Sequence, residues 1–117
     1  MSRRRLWAER WGRAVELLVI VWLSLRGWRV LDHRAKTPFG EIDLIAQHRQ
    51  FLVFLEVKAH RGGDWRLSAS QVQRIQRAAD FWRAQHPRMM KALVRFDLVY
   101  ITAKGLAHRQ AAFGDWP

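Results

Sequence analysis

The amino-acid sequence predicts an α/β fold, a mixed β-sheet flanked by helices, with the element order α-β-β-β-α-β and a short end piece. Three observations carry this. Apolar residues recur at helical spacing between Trp11 and Arg26. Strand-like segments then follow one another closely and culminate in FLVFLEVK, residues 51–58. A second helical stripe separates that run from a last apolar segment, RFDLVYI.

Each element has its own signal. In the first helix Val15, Leu18, Val19, Trp22 and Leu23 or Leu25 form the apolar face, and Gly27 ends it. Residues 1–10 read as a basic N-terminal tail, with 1–5 frayed, ahead of a single domain over 11–117. Trp28 to His33 is a short strand candidate, and Arg34 to Phe39, with Pro38, reads as a loop. Glu41 to Gln47 forms the second strand, and His48, Arg49 and Gln50 make a tight connection to Phe51–Lys58. Two strands this close should pair as a hairpin. Residues 59–67, containing Gly62 and Gly63, form a loop. Ser68 or Ser70 caps the second helix, whose apolar face is Val72, Ile75, Ala79 and Trp82. Pro87 ends that helix, and a strand runs from about Ala92 to Thr102. Residues 106–113 are a weaker final element.

Composition narrows the function classes. A length of 117 residues suits one compact domain. The chain has no Cys, which excludes disulfides, thiolate zinc sites and Cys nucleophiles. The five His show no zinc-like spacing. The apolar run 15–25 contains Glu16 and Ser24 and is too short to span a bilayer, so a membrane role is not expected and the cytoplasm is the default location. Lys and Arg number 21 against 10 Asp and Glu, for a formal net charge of +11. Such an excess favours a polyanionic partner, most readily DNA. An Arg-rich codon usage gives the same composition, so charge alone does not decide.

The chemistry is concentrated on two strands. Successive strand residues point to opposite faces, so Glu56 and Lys58 share a face with Phe54, while Val53, Leu55 and Val57 take the other. Asp43 lies inside the preceding strand, GEIDLIA. By alternation Ile42 and Leu44 face one way, and Glu41, Asp43 and Ile45 the other. Hairpin pairing would bring Asp43 level with Glu56. Two close carboxylates repel unless a cation lies between them. Mg²⁺ suits such a pair, with Mn²⁺ as its substitute, because it takes oxygen ligands and keeps waters for a phosphate substrate. Lys58 would orient or deprotonate an attacking water, or stabilise charge on the phosphate. The bland alternative is an ordinary ion pair of Glu56 and Lys58 at a strand end, with Asp43 in solvent. Glu41 pairs with Lys36 or Arg34, or supports the acidic site. Arg95 and Asp97 read first as a salt bridge in or beside the sheet.

GEIDLIA, then LVFLEVKAHR, then RFDLVYI resembles the YraN-like family of small bacterial proteins, over nearly the whole chain from Gly12 to Phe113. That family is similar to the restriction-endonuclease-like, PD-(D/E)xK superfamily and to archaeal Holliday-junction resolvases. The resemblance implies an αβββαβ core, metal ligation by Asp43 and Glu56, and Lys58 as the catalytic lysine. It also implies that Glu16 on the first helix joins the metal site, directly or through water. Here the pattern departs from the family's, because Val15 stands where a second Gly is usual; Glu16 is equally a helix acid favoured by the macrodipole. Gln71, near the start of the second helix, aligns with a residue that extends toward the active site in similar nucleases, where the family usually carries Lys. Gln71 as an exposed helix residue is the competing reading.

These readings make the chain a metal-dependent nuclease that hydrolyses DNA phosphodiesters, on branched or repair intermediates. His60, Arg61 and Arg66 in the loop after the strand, and Arg74 and Arg77 on the second helix, would contact phosphates without reading sequence. The alternative is a non-catalytic nucleic-acid-binding module whose acidic cluster is structural. Resolvase-like relatives act as symmetric dimers, and the Trp-rich surface would permit a homodimer here.

Overall fold

A computed structural model describes residues 2–59 and 67–113 of the protein. Helix α1 spans Arg3–Leu25, and strands β1, Arg29–Thr37, β2, Gly40–His48, and β3, Phe51–Lys58, follow. Helix α2, Ala69–Ala84, leads through a 3₁₀ turn at Pro87–Met89 to β4, Leu93–Thr102, and β5, Gly105–Arg109. The five strands form one sheet in sequence order. All neighbours are antiparallel except β3 and β4, which run parallel. The sheet is therefore mixed, and α2 is the crossover that its parallel pair requires.

The sheet buries both faces, one under each helix. On the α2 side Ile42, Ile45, Leu52, Phe54 and Phe96 pack with Ile75, Ala79 and Trp82. On the α1 side Leu44, Ala46, Val53, Leu55 and Val99 pack with Val15, Val19 and Leu23. The alternation of FLVFLEVK thus feeds two cores, which is why the segment reads as almost continuously apolar. Among the described residues no helix is long and apolar enough to cross a membrane.

Two boundaries differ from expectation. The basic segment expected to fray is helical from Arg3, because Ser2 caps it and its hydroxyl accepts from the Arg5 N–H at 3.2 Å. Gly27 ends the helix at φ 87°, with the Trp28 N–H donating to the Leu23 carbonyl and the Gly27 N–H to that of Ser24. Strand β1 also runs on through the expected loop. Ala35, Lys36 and Thr37 pair with Ile42, Glu41 and Gly40, and Ala35 is buried in the α2-side core. The loop shrinks to a tight turn at Pro38 and Phe39. Gly40 suits that turn because its φ of 110° lies in the left-handed region that L side chains rarely adopt.

Candidate functional site

The centre of the sheet carries the acidic pair. Strand β3 lies between β2 and β4, so its side chains are shielded on both flanks. Leu52 and Phe54 point to the α2 side, and Glu56 continues that row with only 6% of its surface exposed. Lys58 follows on the same row, half-buried.

Asp43 reaches Glu56 because β2 breaks its alternation. Ile42 and Ile45 both face α2, while Leu44 faces α1. This corrects the expectation that Ile42 and Leu44 share a face. The side switch falls at Asp43, and Arg34 at φ 53° lies opposite on β1, between residues paired with Leu44 and Ile42. The β2–β3 ladder ends at Leu44 and Leu55, one residue short of Asp43. Past that end the Val57 N–H turns to the side chain, donating to Asp43 Oδ2 at 2.8 Å. The irregularity that ends the ladder is what brings a strand carboxylate against Glu56.

The electrostatics follow from burial and proximity. Burial pushes the Asp43 carboxyl up, opposed by the Val57 N–H and reinforced by the charge of Glu16. Glu56 is pushed up to about 8, first by burial and then by the Asp43 charge, with Lys58 and Arg74 acting against the rise. Near neutral pH the pair therefore keeps a proton, held by Glu56 and shared with Asp43. Among the described residues, Glu56 Oε1 is buried with no hydrogen-bond partner. An orphaned buried carboxylate oxygen beside a second carboxylate is a donor set that a hard divalent cation would satisfy. Mg²⁺ needs no more than one or two protein carboxylates, the rest of its shell being water and phosphate.

Glu16 does not complete a three-acid cluster, and no group of three metal-donor side chains occurs among the described residues. Its buried carboxylate forms a two-point ion pair with Arg34, with Nη2 to Oε2 at 2.8 Å and Nε to Oε1 at 3.3 Å. His33 Nε2 approaches the same carboxylate at 3.5 Å. Glu16 acts on Asp43 through its charge. The sequence gives no sign of the left-handed backbone at Arg34, so neither Arg34 nor His33 stands out in it as a site residue.

The remaining expected residues divide. Gln71 is exposed, and its side chain closes the α2 capping box: Gln71 Oε1 accepts from the Ser68 N–H at 2.9 Å, and Ser68 Oγ accepts from the Gln71 N–H at 3.2 Å. Its carbonyl oxygen is thus spent on the cap rather than on the acidic pair. The Arg74 guanidinium donates to the carbonyls of Glu41 at 3.3 Å and Phe39 at 3.4 Å, close enough to Glu56 to oppose the rise in its pKa. Arg77 is exposed one turn on, beside Phe39, Asp80 and Phe81. Glu41 is exposed and paired across the strands with Lys36. His60, Arg61 and Arg66 lie outside the described residues.

Arg95 and Asp97 form the buried salt bridge expected of them, with two contacts of 2.9 Å. The sequence did not reveal that His108 Nε2 also meets Asp97, at 2.7 Å, or that the Ala111 N–H donates to it at 3.0 Å. This network ties β5 and the chain beyond it to β4, and its role is structural.

Comparison with known proteins places the chain in a group. The family model described as "Uncharacterised protein family UPF0102" matches residues 15–101, a span that contains Glu16, Asp43, Glu56 and Lys58. A UPF0102 protein of Maricaulis maris is 43% identical, over 97% of this chain and 92% of its own length. UPF0102 proteins of Rhodopseudomonas palustris and Bradyrhizobium diazoefficiens are 39% and 38% identical, over 97% and 96% of this chain and 87% of their own lengths.

Proposed function

The chain belongs to the UPF0102 family, and we propose that it is a divalent-metal-dependent nuclease that hydrolyses DNA phosphodiesters. The observation that carries this is the buried Asp43–Glu56 pair with an orphaned oxygen on Glu56 and Lys58 two residues further along the strand. A pair that is unfavourable on its own at neutral pH persists in folds where a ligand relieves it.

Asp43 and Glu56 would hold Mg²⁺, or Mn²⁺ in its place. When bound, the cation supplies Lewis-acid stabilisation of a phosphate oxygen and a more acidic water. The chain's own residues do the rest. The Val57 N–H fixes Asp43 Oδ2, so the carboxylate is aimed before anything binds. Lys58 projects from the same row as Glu56, where its ammonium would orient the attacking water or meet charge growing on the phosphate. Arg34, pinned by Glu16, supports β1 at the point where β2 switches sides. Arg74 and Arg77 would contact the backbone of the nucleic acid, which the net charge of +11 draws in.

A second reading has one observation in its favour: Glu16 is engaged by Arg34, leaving two carboxylates rather than three. On that reading the chain binds nucleic acid without cutting it. Cleavage assays decide between them. Branched, single-stranded and duplex DNA are incubated with Mg²⁺ or Mn²⁺ and wild-type, Asp43→Ala or Lys58→Ala protein. The nuclease reading expects metal-dependent cleavage, reduced roughly 10²–10⁴-fold by Lys58→Ala. Cleavage that survives both substitutions would overturn it, and DNA binding without cleavage would favour the second reading.

A further inference from the structure

Helix α1 has two apolar stripes, and the sheet uses one. Val15, Val19 and Leu23 face the sheet and are fully buried. Trp7, Trp11, Ala14, Leu18, Val21 and Leu25 form the other, roughly 130° round the helix at 3.6 residues per turn, and every one is exposed. Trp7 is 69% exposed and Leu25 83%. Their spacing alternates four and three residues without a break across the length of the helix. That is the narrow seam by which one helix packs on another.

We infer that this seam is a self-association surface on which α1 of a second copy docks antiparallel, giving a symmetric dimer. Charge selects the direction. The first turn of α1 carries Arg3, Arg4 and Arg5 and no acid, and its last turn carries no basic residue. The N-terminal end of the helix dipole is thus opposed, while the C-terminal end has a single basic residue, Arg26, at its cap. A parallel copy would stack the two Arg clusters. An antiparallel copy sets each cluster beside the partner's C-terminal helix end, where the dipole favours cations and the cluster meets one basic residue, Arg26, rather than three. Size agrees: antiparallel pairing puts Trp7 over the second copy's Leu25, Trp11 over its Val21 and Ala14 over its Leu18, so large residues meet smaller ones at each level. Trp11 is already anchored, its indole N–H donating to the Ala59 carbonyl. The stripe exposes on the order of 600 Å² per copy, taking roughly 150–250 Å² for a large side chain. Two copies would then bury about 1,200 Å², the lower edge of stable specific interfaces.

Sedimentation equilibrium of the full chain tests this, with Leu18→Glu/Val21→Glu as the variant and circular dichroism to check its helix content. Wild type is expected at twice the chain mass in the micromolar range, and the variant's dimer should be weaker by about 100-fold or more. A monomeric wild type, or a variant that dimerises equally well, would overturn the inference. Direction is read separately, since the chain has no native Cys. Trp7→Cys and Leu25→Cys chains should cross-link to each other on mild oxidation but not to themselves, because the two positions lie about 27 Å apart along the axis at 1.5 Å per residue. Self-cross-linking would overturn the antiparallel assignment. A chain that stays monomeric yet co-floats with vesicles of anionic lipid would assign the stripe to a bilayer surface instead.

Discussion

Replacing Glu56 with Gln should stabilise the protein at neutral and alkaline pH, although it removes a candidate metal ligand. In the folded chain burial and the Asp43 charge push the Glu56 carboxyl up to about 8, against an ordinary value of 4.5. Between those values the folded state holds a proton that the unfolded state has released, so stability falls as pH rises. The contribution is fully present below about 4.5 and is lost as pH climbs through about 8. At about 1.4 kcal/mol per pH unit, the whole span is on the order of 3–5 kcal/mol. The E56Q chain keeps the shape of the side chain, and its amide can donate to Asp43 as the protonated acid does, but it has nothing to ionise. Urea unfolding in metal-free buffer at about pH 5.5 and about pH 9 reads the effect. E56Q should be ahead by about 1–2 kcal/mol at the lower pH, where the unfolded carboxyl has already ionised, and by several kcal/mol at the higher. Stability curves that run parallel across this range would refute the claim that Glu56 is buried against a second carboxylate.

Two further substitutions probe the supports of the site. Asp97→Ala should lower stability by about 3–5 kcal/mol in urea unfolding, because it leaves the Arg95 guanidinium buried without its partner. Burial alone would raise the Asp97 carboxyl, but the His108, Arg95 and Ala111 donors together hold it below the usual range. Its contribution is therefore present above that range and lost as pH falls through the lowered value, so the variant should lose less than wild type on acidification. Arg34→Ala should lower the melting temperature by an amount equivalent to about 1–3 kcal/mol, the range for stranding a buried acceptor whose partner is itself partly exposed. An unchanged melt would mean that the Glu16–Arg34 pair does not hold α1 to β1.

Much of this was legible in the residues because the signals were local. FLVFLEVK reads as a strand and carries Glu56 and Lys58 on one row, as the structure has them. Ser68 caps α2, and Arg95 and Asp97 pair across one intervening residue. What stayed hidden depends on partners distant in sequence. Lys36 and Thr37 are strand residues only because β2 pairs with them. Strict alternation assigns Ile42 and Leu44 to one face, and nothing in GEIDLIA announces the switch at Asp43. The fate of Glu16 was hidden for the same reason. An acid on an apolar helix face signals a polar neighbour but does not say whether that neighbour is a metal ion or Arg34. Gln71 was visible as a polar residue at a helix start, yet its spacing of three from Ser68 is a capping-box signal, and the structure follows it.

Asp43 and Glu56 are proposed as a cation site kept protonated until the metal arrives. Calorimetric titration of the metal-free protein with Mn²⁺ near pH 7, repeated in buffers of differing ionisation enthalpy, tests it directly. One ion should bind per chain with release of close to one proton, and both heats should be abolished in Asp43→Asn and Glu56→Gln chains. Absence of binding in the wild type, or binding that persists unchanged in both variants, would contradict it.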